Sequence, residues 1–317
     1  MYYIGIDLGG TNIRAGIVSE EGIILAKDDI ATRRERSYQE IIKDMATLTL
    51  KLINTEGISI NDVKSIGIGT PGTSDNVKGV LGYSNNFNFH DVPMREEMQK
   101  HINLPVYLEN DANCAALAEN IAGAAKGSKD SISITLGTGV GSGIIIDGKI
   151  YNGFNKAAAE MGHTVIAVDG IQCSCGRKGC WEMYSSATAL ISQTKDMAEK
   201  YPSSKINEII SGNTENIVGK TPFIAAKQGD KAALEIVENY IGYLAEGIVN
   251  VINAFQPEIL TIGGGISNEG DYLLTPLKGL VSRRVYSRGD IKQTIIKISE
   301  MGDDTGIIGA AMIGADK

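Results

Sequence analysis

Three of the four cysteines, Cys173, Cys175 and Cys180, lie in one short stretch, IQCSCGRKGCWE, beside two glycines and the acid Glu182. Thiols this close can work as a redox pair or gather as thiolates on a metal ion. Two other stretches carry a different chemistry. Gly9-Gly10-Thr11-Asn12 and Gly137-Thr138-Gly139 combine glycines, whose backbone N–H groups can approach an anion closely, with threonine hydroxyl donors. Either turn alone reads equally well as an ordinary hairpin tip.

Composition bounds what these groups can serve. With 317 residues, 43% of them apolar, the chain can fill a sizeable core and form two domains. A net charge of −8 argues against nucleic acid as the main partner, because phosphate binding normally shows as a basic patch. The start, MYYIGIDLGG, lacks the basic stretch and apolar core of a signal peptide. The longest uncharged run, Ser131 to Ile146, is too polar and glycine-rich to cross a bilayer. A cytoplasmic chain with no membrane partner is expected. In a reducing compartment the clustered cysteines favour metal over disulfide.

The elements that must position these groups alternate between strand and helix. Tyr2 to Asp7, Ile13 to Val18 and Ile23 to Lys27 read as strands. Ser37 to Asn54 reads as a helix with Ile41, Met45, Leu48 and Leu52 on one face. VKSIGIGTPG is a strand stopped at Pro71, and LPVYLEN is a strand running into the helix DANCAALAENIAG, with Asp111 in its first turn. Lys231 to Phe255 is a long helix closed by Pro257, and EILTIGGG is a strand ending in glycines. The fold class is α/β with substantial sheet.

An internal repeat ties the two turns together. Ile4, Ile6, Leu8 and Gly9 match Ile132, Ile134, Leu136 and Gly137 at a constant offset, in a shared order of strand, glycine turn and strand. Matched turns in two related halves point to a shared phosphate site. Other nucleotide motifs fail. GTGVGSG has the wrong glycine spacing for a dinucleotide fingerprint and leads into a strand, and GKT at 219–221 lacks the first glycine and the strand of a P-loop.

Taken together, DLGGTN (7–12), END (109–111), LGTGVGSG (136–143), EMGH (160–163), CSCGRKGCWE (173–182) and GGG (263–265) resemble the ROK (repressor, open reading frame, kinase) sugar kinases, over nearly the whole chain. The resemblance implies a two-lobed, actin-like and ribonuclease-H-like ATPase fold with a cleft between lobes where ATP and a hexose meet. It also implies residues 1–118 with 305–317 as the smaller lobe, residues 119–304 as the larger one, and a homodimer or homotetramer.

The resemblance assigns roles residue by residue. His163, Cys173, Cys175 and Cys180, spaced H-x9-C-x-C-x4-C, match the family's zinc motif, and three thiolates with one imidazole make a closed structural Zn2+ site. Cys114 stays outside it as a small buried hydrophobe. Glu160, His163, Glu182, Asn110, Asn86 and the backbone of Gly72 are implied sugar contacts. Asp111 is the implied general base, since a carboxylate beside the attacking hydroxyl can accept its proton. Gly9, Gly10, Thr11 and Asn12 with Gly137, Thr138 and Gly139 would hold the ATP phosphates, Asp7 would help place Mg2+, and Gly263, Gly264 and Gly265 would lie beside adenosine.

Glucose 6-phosphorylation is the expected activity. The segment YSSATAL after Glu182 resembles ROK glucokinases, while kinases for fructose, allose, mannose and N-acetylmannosamine share the core motifs. A sugar-responsive repressor of the same family would carry an additional helix-turn-helix domain ahead of its phosphate motif, which here begins at residue 7. A catalytically dead sugar binder conflicts with an intact Asp7, Asp111 and both glycine turns. One departure stands out: Ala159 replaces the family's glycine ahead of Glu160, and a positive φ there would be strained.

Overall fold

The computed structural model describes residues 1–84, 87 and 89–315. Its first strands are β1 (Tyr2–Leu8), β2 (Asn12–Ser19), β3 (Ile24–Ala31) and β4 (Val63–Thr70). β5 (Thr73–Asp75), β6 (Val80–Ser84), β7 (Phe89–Val92) and β8 (Val106–Asn110) follow. The remaining strands are β9 (Ser131–Leu136), β10 (Val140–Ile146), β11 (Lys149–Ile150), β12 (Ile259–Gly263) and β13 (Ile295–Ile298).

The strands form three sheets. The first has the order β3-β2-β1-β4-β8, with β1 and β2 antiparallel and β1, β4 and β8 parallel. A second has the order β11-β10-β9-β12-β13, with β10 and β11 antiparallel and β12 and β13 parallel. These two orders are the same, as the internal repeat requires. The third sheet is the small antiparallel β5-β6-β7, which sequence periodicity does not reveal because its strands are so short.

Helices cover the first sheet on both faces. Inward residues Ile4, Ile6, Leu8, Ile13 and Ile17 meet Ile41, Met45, Leu48 and Leu52 of the helix Tyr38–Thr55 in one core. Ser37 caps that helix, and a reciprocal bond from the Ser37 backbone to Glu40 completes a capping box. On the other face, Tyr3 and Val18 pack with Cys114, Leu117, Ile307 and Ile308 from the helices Asp111–Ile121 and Thr305–Met312. The approach of the last helix depends on glycine. Gly5 pairs with Gly16 and Gly67 across the sheet, and a Cβ on Gly5 or Gly67 would lie 1.8 Å from the Ile307 carbonyl oxygen or 1.7 Å from that of Ala310. Any side chain at either position would push the helix off the sheet.

The chain divides into two compact units. One is Met1–Ser133 with Gly143–Ala159 and the residues from Glu300 onward; the other is Ile134–Ser142 with Glu160–Ser299. In the second, the helix Lys231–Phe255 runs as the sequence predicts and ends where Gln256 turns left-handed (φ 45°) before Pro257. No described helix is long and apolar enough to cross a membrane.

Candidate functional site

In the first unit, several of the expected site residues gather at the carboxyl ends of three parallel strands, where open α/β sheets present ligand sites. Asp7 is next to last in β1 and pairs in register with Gly69 of β4, while Thr70 pairs with Asn110 at the end of β8. Burial, with the charge of Asp111 added, raises the Asp7 carboxyl to about 6, against the opposing pull of Arg14. The helix Thr305–Met312 starts against this carboxylate, since a Cβ on Gly306 would lie 2.7 Å from its carboxyl carbon.

Strand β8 passes directly into the helix Asp111–Ile121 because Asn110 caps it. Asn110 Oδ1 accepts from the N–H groups of Ala112 (2.9 Å) and Asn113 (3.3 Å), and its Nδ2 donates to the Gly72 carbonyl at 3.2 Å. Two expected sugar contacts are therefore tied to each other. Asp111 sits in the first turn with an exposed side chain, yet the protein mass around it disfavours charge and raises its carboxyl above the ordinary range. Bonds from the backbone of Ala112 and from Asn110 oppose the shift. Beneath them Glu109, only 6% exposed, accepts from the Asn110 N–H (2.9 Å) and from Asn113 Nδ2 (3.0 Å). Glu109 thus fixes the strand end, a role that the motif END does not disclose. Cys114 is fully buried. Asn86 lies outside the described residues.

In the second unit, His163, Cys173, Cys175 and Cys180 bring their ligand atoms within 4.8 Å of one another. His163 Nδ1 lies 3.6 Å from Cys173 Sγ, and Cys175 Sγ lies 3.5 Å from Cys180 Sγ. Those separations suit the edges of a tetrahedron with metal–sulfur bonds of about 2.3 Å, and are too long for a disulfide of about 2.05 Å. Burial first, then neighbouring sulfurs, push the Cys180 thiol up to about 12, a shift that a cation bound among these groups would oppose. Gly179 has φ 78°, and a Cβ on it would strike the Ala167 carbonyl oxygen at 1.7 Å. Only glycine lets the loop close there.

The loop of candidate metal ligands ends in an anchor. Trp181 is fully buried, donates from Nε1 to the Tyr243 carbonyl (3.1 Å) and packs where Gly247 leaves room on the helix Lys231–Phe255. With Trp181 fixed, Glu182 reaches the second glycine turn. Its Oε2 accepts from the Val140 N–H at 2.9 Å and would lie 2.2 Å from a Cβ on Gly139. From the other side, Gly162, between Glu160 and His163, approaches the Val140 carbonyl. Expected sugar residues and the expected phosphate turn of this unit thus meet at Val140, a residue without any motif. Gly264 lies against the end of β9, where a Cβ would be 2.2 Å from the Leu136 carbonyl oxygen. Gly263 and Gly265 flank it, and Gly265 opens a short 3₁₀ turn. Ala159 has φ 69°, so the strained condition named for the sequence is met.

The repeated strand order, antiparallel on one flank and parallel on the other, is that of the actin-like, ribonuclease-H-like ATPases. Within that class, the ROK family model matches residues 3–317, and the chain belongs to the ROK family. It is 37% identical to a glucokinase of Thermotoga maritima, over 98% of this chain and 96% of that one. It is also 30% identical to the xylose repressor of Bacillus subtilis, covering 99% of this chain and 77% of the repressor. Among solved structures, a ROK family glucokinase from Streptomyces griseus in complex with glucose and AMPPNP superposes with a TM-score of 0.84, at 33% identity and 100% of both chains.

Proposed function

We propose that the chain is an ATP-dependent hexose kinase that phosphorylates glucose at its 6-hydroxyl. The observation that carries this reading is the end-to-end likeness to a glucokinase holding glucose and a nucleotide. Asp111 acts as general base: the glucose O6 attacks the γ-phosphorus, the bond to the β-phosphate oxygen breaks, and the hydroxyl proton passes to the Asp111 carboxylate. A carboxyl raised above its ordinary range supports that role, because a stronger base takes the proton more readily.

Glu160, His163, Glu182, Asn110 and Gly72 bind sugar hydroxyls in this reading, together with Asn86. The N–H groups of both glycine turns take phosphate oxygens, Asp7 helps hold Mg2+, and Gly263, Gly264 and Gly265 accommodate adenosine. Mg2+ supplies charge neutralisation on the phosphates when bound. His163, Cys173, Cys175 and Cys180 hold a structural Zn2+, whose fit rests on the ligand-atom spacing. The division into lobes at residues 118 and 305, a homo-oligomeric state and a cytoplasmic location belong to the same reading.

The test is ADP release from ATP and Mg2+ across glucose, mannose, fructose, allose and N-acetylmannosamine, with the product located by NMR. Glucose 6-phosphate is expected, and Asp111→Asn should lower kcat by about a thousandfold. Preference for another hexose, or a different regioisomer, would overturn the glucose assignment. The likeness to a xylose repressor favours a second reading, a sugar-responsive regulator. Sugar binding with no ATP consumption by the wild-type chain would select it.

A further inference from the structure

Each glycine turn is fastened from outside by a threonine. In the first, Thr32 Oγ1 donates to the Gly9 carbonyl at 2.7 Å, and the Thr32 N–H donates to the Thr11 carbonyl at 2.8 Å. In the second, Thr188 Oγ1 donates to the Thr138 carbonyl at 2.8 Å, and the Ala187 N–H donates to the Gly137 carbonyl at 2.8 Å. Thr32 directly follows β3 and is fully buried, whereas Thr188 is exposed in the first turn of the helix Ala187–Lys200. The two threonines come from unrelated places in the sequence and reach the same kind of target.

We propose that Thr32 and Thr188 are positioning residues that hold the two turns in the form that binds phosphate; this rests on the ATP-dependent reading above. A trans peptide points its C=O and the following N–H in opposite directions. Pinning the carbonyls of Gly9, Gly137 and Thr138 toward the fasteners aims the N–H groups of Gly10, Thr138 and Gly139 the other way. Among the described residues no protein acceptor takes those three N–H groups. A glycine peptide left unpinned rotates easily and can turn its carbonyl dipole toward an anion, which repels it. The latch removes that alternative before ATP arrives.

The decisive variants are Thr188→Val and Thr188→Ser, with Thr32→Val and Thr32→Ser as the second pair, each first checked for a wild-type melting profile. Loss of one hydroxyl bond should raise KM for ATP about fivefold while KM for glucose moves less than about twofold. Serine keeps the hydroxyl and should restore ATP affinity to within about twofold of wild type. The latch is overturned if the folded valine variants keep the wild-type KM for ATP, or if serine impairs it as much as valine. Titration of Mg2+-AMPPNP without sugar separates this from the functional reading. If the wild type turns over no hexose but Thr188→Val still weakens AMPPNP, the latch stands and the kinase reading falls; if the wild type binds no nucleotide, both fall.

Discussion

At equivalent points in the two repeats, β1 carries Asp7 and β9 carries Thr135. The strand orders around them are the same, and each strand leads into a glycine turn latched by a threonine hydroxyl. The chemistry nevertheless separates. The first unit holds the acids Asp7 and Asp111, both raised above the ordinary carboxyl range, Asp7 by burial and the exposed Asp111 by the protein mass around it. The second holds no acid at the matching strand position; its turn is gripped instead by Glu182, which follows the loop of candidate metal ligands and its anchor Trp181. One scaffold, used twice, carries a glycine turn in both copies and a carboxylate at the matched strand position in only one. The comparison teaches that the repeat supplies the strand order and a glycine turn in each copy, while single side chains at its strand ends differ.

The largest effect should come from the proposed metal site of the second unit. Structural zinc contributes on the order of 10 kcal/mol of apparent folding energy. Cys180→Ser is therefore expected to lose bound zinc, from about one ion per chain, and to melt more than about 10 °C below wild type. Equal metal content and equal melting in both proteins would remove the metal from the contrast.

A smaller effect tests the acid that only the first repeat has. The folded pKa of Asp7 is raised to about 6 from 3.8, so the folded state holds the proton more tightly than the unfolded one. The stability from this proton is fully present below pH 3.8 and is lost as pH rises through about 6, leaving a buried charge as a net cost. At pH 8 without magnesium, Asp7→Asn should stabilise the fold by about 1–2 kcal/mol, and the gain should vanish near pH 3.5. The same variant should lose most turnover. A variant that is less stable than wild type at pH 8 would show that Asp7 is held by favourable partners and that burial does not dominate.

The smallest effect concerns Ala159, held at φ 69° just ahead of Glu160. Ala159→Gly removes the clash of a Cβ with its own backbone and should add about 1 kcal/mol of stability, read as a small rise in melting temperature. An unchanged or lower melting temperature would mean that the methyl packs well enough to offset its strain.

Much of this was legible beforehand because its signals are local. The strand at Tyr2, the helix ends at Ser37 and Phe255, and the break between β8 and the helix Asp111–Ile121 are written in caps, periodicity and proline. The cluster of four candidate metal ligands was legible because most of them are close in sequence, so their spacing limits their geometry. Strands β5, β6 and β7 escaped because periodicity needs more residues than they have. The roles of Glu109 and Val140 escaped for another reason: neither residue type signals a role, and each role is a contact made by neighbours.

By itself the sequence determined the α/β class, the repeat, the family, the acids and the four candidate metal ligands, since each is a matter of residue type and short spacing. It could state the condition under which Ala159 is strained, but not the angle. Tertiary structure decided that angle, the bond from Val140 to Glu182, the approach of the helix Thr305–Met312 over Gly5 and Gly67, and the grip of Thr32 and Thr188 on the glycine turns. Most of these contacts join segments distant in the chain, and a hydrogen bond or a close approach of that kind is set by where folding brings the backbones, which residue order alone does not encode locally.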